Sequence, residues 1–489
     1  MRYRNDPDGT RLPIKLDTAT NGEFAPIPLG QVHRAARRLA LEHATTNARR
    51  LSLTRRAFLV SACGAATTLL GMNAAYAAAG RRGGFFDVPQ EAGLDVQVAR
   101  STLDRNEFVF DVQGHFVNPT GAWTKALPPG AQPLRFTELK GCAAATAPGL
   151  GYLQCLGSDE FIKDIFLDSD TDLIVLSFVP STRKDEPLTI EEAQATAHIV
   201  EKMEGTHRVL LHGRVNPNQA GDLDGMDMLA ERYPIAAWKT YTQWGPDGKG
   251  FFLDDDVGLA FIEKARKLGI RNIAVHKGLP FGPQSYEHST CIDVGRVAKR
   301  FPDVNFLIYH SGFVAGAAEG PYDPKRRDGI DALCTSLREN SIAPGANVYA
   351  ELGSTWRFLM RDPDAAAHAL GKLFTYVGQD NVLWGTDSIW YGSPQDQIQG
   401  FRTFQISDAL AEKHGYSRIT PGLRAKVFGR NALKIYKVSG EVLKKHLPRD
   451  RVARERLDYR ERADPSFLTH GPKTRREFLA LKAREGNAA

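Results

Sequence analysis

Three histidines and an aspartate stand at the ends of short apolar runs: His115, His276, His310 and Asp387. Imidazole and carboxylate together form a donor set for a divalent cation, zinc or manganese. A cation with one open position ionises bound water near neutral pH. Taken singly, a histidine at the end of a run is more often a satisfied polar residue, and an aspartate after Gly-Thr is often a helix cap. The four together, each at such an end, point to one converging site. Side chains alternate along a strand, so Asp111, Gln113 and His115 are expected to face the same way. Lys239, Lys277, His212 and Arg214 stand at or just past other run ends and would supply positive charge for a carboxylate-bearing small molecule. Tyr241, Trp244, Phe281, Trp356, Trp390 and Tyr391 follow run ends and could line an aromatic pocket.

The elements that must position these groups can be counted. The runs are Phe108–Gln113, Leu173–Val179, Arg208–Val215, Ile235–Tyr241, Asn272–Lys277, Asn305–His310, Asn347–Leu352 and Asn381–Asp387, eight in all. Several are continuously apolar, as strands buried on both faces are. Helical patterns such as Ile190–Glu204, Val257–Leu268 and Ala365–Val377 lie between them. The alternation predicts an α/β fold, a closed (β/α)8 TIM barrel over residues 80–437 whose strand tips carry the chemistry. The stretch from Gly114 to Asp172 is a long β1–α1 insertion, expected to roof the pocket.

Five ordered motifs give the barrel a resemblance: Asp111-Val112-Gln113-Gly114-His115, Val275-His276-Lys277, Ile308-Tyr309-His310-Ser311-Gly312, Leu383-Trp384-Gly385-Thr386-Asp387 and Phe428-Gly429-Arg430-Asn431-Ala432. The pattern resembles the amidohydrolase superfamily, in its amidohydrolase-related branch, which includes aminocarboxymuconate-semialdehyde and resorcylate-type decarboxylases. The resemblance implies that His115, His276 and Asp387 ligate one divalent metal ion. His310 would orient or polarise the substrate, and Asp387 would also move a proton. One position departs: the family has His-x-His or Glu-x-His on the first strand, and Gln113 stands at the first of these. An amide oxygen is a poorer ligand than imidazole or carboxylate. Other branches use a carbamylated strand-4 lysine to bridge two metals; without the full His-x-His, Lys239 reads better as a cation facing an anionic substrate.

The flanks differ from the barrel. The chain has 489 residues and a net charge of +6, and residues 1–79 carry all of that excess, so the basic balance gives no reason to invoke nucleic acid. Thr54-Arg55-Arg56-Ala57-Phe58-Leu59, an apolar run to about Met72 and then Ala75-Tyr76-Ala77 resemble a twin-arginine signal peptide. Residues 1–79 are thus expected to be a leader, with the twin-arginine export machinery as partner and a periplasmic or secreted destination. Residues 438–489 form a charged helical extension, which leaves a homo-oligomer open. The cysteines show no CxxC spacing; Cys142 and Cys155 could pair, although unpaired buried thiols are the plainer expectation.

Three functions are weighed. The leading expectation is metal-dependent hydrolysis of an amide, ester or lactone. The alternative is non-oxidative decarboxylation of an aromatic or unsaturated acid. The third is an exported binding protein without catalysis.

Overall fold

The computed structural model describes residues 6, 8–20, 24–104, 107–125, 155–204, 207–280 and 285–484. Eight parallel strands form one sheet in sequential order: β1 (Phe110–Gly114), β2 (Leu173–Leu176), β3 (Val209–Arg214), β4 (Ile235–Tyr241), β5 (Asn272–His276), β6 (Asn305–Tyr309), β7 (Val348–Glu351) and β8 (Val382–Leu383). The ring closes just beyond β8. Val112 N–H donates to the Trp384 carbonyl at 3.0 Å, Asp387 N–H to Gln113 at 2.9 Å and Ile389 N–H to His115 at 3.1 Å. The protein is an α/β TIM barrel, as the alternation of runs and helices predicted. Inside it Phe110, Val112, Val175, Ala237, Ala274, Leu307 and Leu383 pack as one apolar cluster with Ala432 and Ile435 of the helix Asn431–Tyr436.

Strict alternation fails in β1. The register against β2 shifts between Asp111 and Gly114. Val112 joins the interior cluster, and Gln113 nonetheless reaches the polar cluster at the mouth. Asp111 turns instead to Thr386, whose N–H and hydroxyl it accepts. Such irregularities re-aim side chains beside functional sites. About half of the β1–α1 insertion, residues 126–154, lies outside the described residues, and so does Phe281.

The flanking segments fold against the barrel. Helix α1 (Gln31–Arg50) turns Ala36, Ala40, Ala44 and Ala48 inward, a small-residue stripe with a four-residue repeat. It packs beside helix α3 (Ala62–Ala78), which buries Cys63, Ala66, Leu69, Met72 and Tyr76. Between them the short helix α2 (Arg55–Leu59) holds the arginine pair. Arg56 is 2% exposed and donates to the Pro465 carbonyl at 2.6 Å, with Asp6 and Asp464 each 3.5 Å away. Arg55 donates to the carbonyls of Gly9 and Asp8. Gly84–Phe86 then pairs antiparallel with Phe404–Ile406. No helix among the described residues is long and apolar enough to cross a membrane. Cys63, Cys291 and Cys334 are free buried thiols, whereas Cys155 is disulfide-bonded, so the expectation of unpaired thiols fails there; Cys142 lies outside the described residues.

A Cβ on Gly71 would stand 3.0 Å from the Ala40 nitrogen, so the α1–α3 contact tolerates nothing larger there. Gly71→Leu should lower the melting temperature by about 3–10 °C, the cost of overpacking a close contact. The exposed control Arg37→Ala should leave it nearly unchanged. Thermal unfolding followed by circular dichroism checks both, and an unshifted Gly71→Leu would mean that the two helices do not pack in solution.

Candidate active site

The mouth of the barrel is built at strand tips where the backbone leaves extended geometry. His310 follows β6 at φ 66°, Ser354 stands three residues past β7 at φ 53°, and Asp387 follows β8 at φ 59°. Left-handed geometry at a non-glycine residue costs on the order of 1–3 kcal/mol, and surrounding bonds must hold it. Glu351 does so at two places, accepting His310 N–H at 3.0 Å and Gly353 N–H at 2.5 Å. A Cβ on Gly385 would meet the Glu351 carboxyl, so the Gly-Thr-Asp turn passes close only because that residue is glycine.

Three acceptor atoms converge on the Gln113 amide nitrogen: Asp387 Oδ1 at 3.0 Å and the Nε2 atoms of His115 and His310, each at 3.4 Å. The tautomers follow from the other ring nitrogens. His115 Nδ1 faces the Ser177 carbonyl at 3.0 Å and His310 Nδ1 faces the Gly353 carbonyl at 2.6 Å. A carbonyl only accepts, so both Nδ1 atoms carry hydrogen and both Nε2 atoms present lone pairs inward. His276 Nδ1 lies 3.2 Å from His310 Nε2. Burial, with the neighbouring histidine and lysine charges, pushes His276 well below the usual imidazole range. Burial likewise lowers His310 to about 4. Burial alone would raise Asp387, but the neighbouring imidazoles of His115 and His310 and the Ser354 hydroxyl hold it down at about 2. Burial instead lifts Asp111 to about 7 and Glu351 to about 8.

This donor set has the chemistry that a divalent cation requires. Two imidazoles are locked with inward lone pairs by backbone carbonyls, a carboxylate stays ionised, and the buried Gln113 Oε1 has no hydrogen-bond partner. As arranged, the amide nitrogen holds the centre, and no three His, Cys, Asp or Glu among the described residues form a metal cage. Turning the amide over would bring its oxygen to the same place.

The expected cations part company. Lys239 lies inside the mouth, its Nζ 3.9 Å from the Tyr309 ring centroid and 4.6 Å from that of Tyr241. His212 sits among Ser177, Tyr309 and Tyr436, its ring nitrogens 3.0–3.4 Å from their hydroxyls. Lys277 is buried against Asp293 at 2.8 Å, and Arg214 is paired with Glu186 and the Ser181 carbonyl. Among the aromatics, Tyr241 stacks on His276 at 4.7 Å and Trp390 on His115 at 5.5 Å. Trp356 is core, packed on Phe401 and Phe404.

Sequence reasoning missed Ser354. Its hydroxyl lies 2.5 Å from Asp387 Oδ2 and 2.7 Å from the Tyr391 hydroxyl. A serine after a strand-end glycine carries no signal of its own; only the left-handed turn aims it at the carboxylate.

No curated protein matches the chain. Among solved structures, 5-carboxyvanillate decarboxylase from Sphingomonas paucimobilis is similar at 14% identity, covering 68% of this chain and 100% of that one, with a TM-score of 0.42. The 2,6-dihydroxybenzoate decarboxylase from Rhizobium is similar at 16% identity over 68% and 100% of the two chains, with a TM-score of 0.41. The 5-carboxyvanillate decarboxylase from Novosphingobium aromaticivorans, complexed with manganese and 4-hydroxy-3-methoxy-5-nitrobenzoic acid, is similar at 12% identity over 68% and 97%, with a TM-score of 0.44. Residues 235–438, from the start of β4 past the last barrel helix, match the amidohydrolase family, and that stretch supplies Lys239, His276, His310 and Asp387.

Proposed function

We propose that this chain is a metal-dependent, non-oxidative decarboxylase of an aromatic or unsaturated carboxylic acid. The observation that carries the reading is a dry, aromatic-walled mouth. Gln113, His115, Lys239, His276, His310 and Asp387 are each at most 2% exposed, with Tyr241 and Trp390 stacked on two of the histidines. Aromatic rings favour stacking with a planar acid, and Lys239 among the tyrosines suits its carboxylate. Excluding water weakens the hydration that stabilises the carboxylate.

His115, Asp387 and the Gln113 amide oxygen, with His276 closing the set, would hold a divalent cation, zinc or manganese. When bound, the cation supplies positive charge that binds the acidic oxygens of the substrate. The side chains handle the proton. Asp387 carries one only in passing, taking it from solvent, and the Ser354 hydroxyl 2.5 Å from Oδ2 steadies that carboxyl. In the step proposed, that proton passes to the carbon bearing the carboxylate. The bond to the carboxyl carbon then breaks, its electron pair returns to the unsaturated system and carbon dioxide leaves. Solvent supplies the next proton to Asp387. Neutral His310 accepts a hydrogen bond from the substrate at Nε2. Hydrolysis of an amide, ester or lactone would instead ask Asp387 to take a proton from water, in a mouth whose lining is at most 2% exposed.

Carbon dioxide release from a panel of hydroxylated benzoic acids tests the reading. Asp387→Asn and His310→Asn should each lower kcat about 100-fold or more, the usual worth of a positioned proton-transfer group. Turnover of esters or lactones without carbon dioxide release would sink the proposal in favour of hydrolysis, and no turnover of either class would favour a binding protein.

Gln113→Glu places a second carboxylate beside Asp387, 3.0 Å from the present amide nitrogen. Calorimetric titration with manganese or zinc should show the dissociation constant falling about tenfold or more, as a charged oxygen replaces a neutral one. An unchanged constant would place the cation elsewhere.

The acid limb of activity should follow His310. Its folded-state value of about 4 lies below the usual 6.5, so the ring stays neutral down to about pH 4 and the lone pair is lost below it. The same sign holds for stability: the contribution is complete above the unfolded value of 6.5 and is lost as pH falls through the folded one. Rate and melting profiles between pH 7 and pH 3.5, with His310→Asn as the flat reference, check both.

A further inference from the structure

The segment from Asp387 to Asp396, a loop that runs into the helix Gln395–Thr403, carries the candidate catalytic carboxylate on its first residue, and both ends of the chain touch its far part. From the N-terminal side, Lys15 N–H donates to Asp396 Oδ2 at 3.1 Å, while Lys15 Nζ lies 3.0 Å from Asp396 Oδ1 and 2.5 Å from the Ser393 carbonyl. From the C-terminal side, His470 N–H donates to the Trp390 carbonyl at 3.1 Å. Leu468 passes so close that a Cβ on Gly392, at φ +69°, would stand 2.2 Å from its carbonyl oxygen. The two ends also bind each other: Thr20 N–H donates to the Pro472 carbonyl at 2.9 Å, and Asp17 accepts from Thr469 with Lys473 Nζ 3.4 Å away.

Two short paths run from this strap to the site. Arg357, 1% exposed, donates to the Lys15 carbonyl and to Asp17 Oδ1, and its guanidinium stands 5.6 Å from the Tyr391 ring centroid. The Tyr391 hydroxyl meets Ser354, which bonds Asp387 Oδ2. On the second path, His470 fixes the backbone of Trp390, whose ring stacks on His115. Burial would raise Asp17, but Lys473, Arg357 and Thr469 hold it at about 2, so its carboxylate stays ionised within the knot.

We propose that Lys15–Thr20 is a positioning strap for the Asp387 loop, that Asp17 and Arg357 are its positioning residues, and that the working enzyme therefore retains this segment. The part concerning rate rests on the reading of Asp387 as the proton-handling group. The experiment uses the full chain carrying Asp17→Asn, Arg357→Gln or the conservative Arg357→Lys. Hydrogen exchange of peptides spanning 387–396 should quicken about tenfold in the first two variants while the other barrel strands keep their rates. For carbon dioxide release, kcat should fall about tenfold or more with KM within about threefold, the mark of a misplaced group, and Arg357→Lys should recover part of the loss. Intact mass of the enzyme purified from cells should include Lys15–Thr20. Unchanged exchange at 387–396, acceleration spread evenly over the barrel, or an active protein lacking the segment would each overturn the proposal. A wild-type protein that releases no carbon dioxide from any acid would overturn the decarboxylase reading alone, and the exchange measurement would still decide the strap.

Discussion

Asp387 must stay ionised where almost no water reaches it. A buried carboxylate without partners would protonate or unfold its surroundings. Here the Ser354 hydroxyl, the Gln113 amide and the edge of His115 stand within 2.5–3.1 Å of its two oxygens. Each partner needs its own support. Ser354 depends on a left-handed turn after β7, Gln113 on the register shift in β1, and His115 on the Ser177 carbonyl. The anion thus fixes the local geometry of three strand tips at once.

The same cavity keeps other carboxyl groups in the opposite state. Asp111 and Glu351 are as buried as Asp387, yet burial lifts them to about 7 and about 8. The difference lies in their partners. Glu351 accepts two neutral backbone N–H groups, and Asp111 accepts two backbone N–H groups and the Thr386 hydroxyl, whereas Asp387 stands against the imidazole of His115, the Gln113 amide and the Ser354 hydroxyl. Carboxyls separated by environment in this way divide between holding a backbone and moving a proton. Glu351 serves the first role, fixing the His310 and Gly353 turns, and Asp387 is placed for the second.

Outside the barrel the chain spends many residues on support. The α1–α3 pair is close because alanine faces glycine, so the two backbones come near enough for dispersion to accumulate over their length. Arg56 joins residues near both chain ends beneath it, and Arg208 does similar work lower down, gripping Asp450 with two hydrogen bonds of 2.7 and 2.8 Å. Buried arginines of this kind stabilise only when every donor finds an oxygen, which ties the terminal segments to one geometry.

The sequence by itself determined the barrel. Eight apolar runs alternating with helical periods admit few other folds, because buried parallel strands need helices between them, and the polar residues at the run ends marked the mouth. It also marked His115, His276, His310 and Asp387, since a histidine or aspartate at the end of an apolar run is legible one residue at a time. Tertiary structure decided the rest. Lys277, Arg214 and Lys239 read alike as strand-end cations, yet Asp293 and Glu186 hold the first two and only Lys239 stands among the tyrosines of the mouth. Ser354 and Arg357 gave no signal, because a hydroxyl or guanidinium acquires its role from what folding brings beside it. The arginine pair near residue 55 is the sharpest case. A six-residue pattern reads as an address, but whether its side chains face solvent or a buried carbonyl depends on contacts more than 400 positions away, 409 between Arg56 and Pro465. Periodicity records a chain's relation to its near neighbours; partners at such range exist only once the chain has closed on itself.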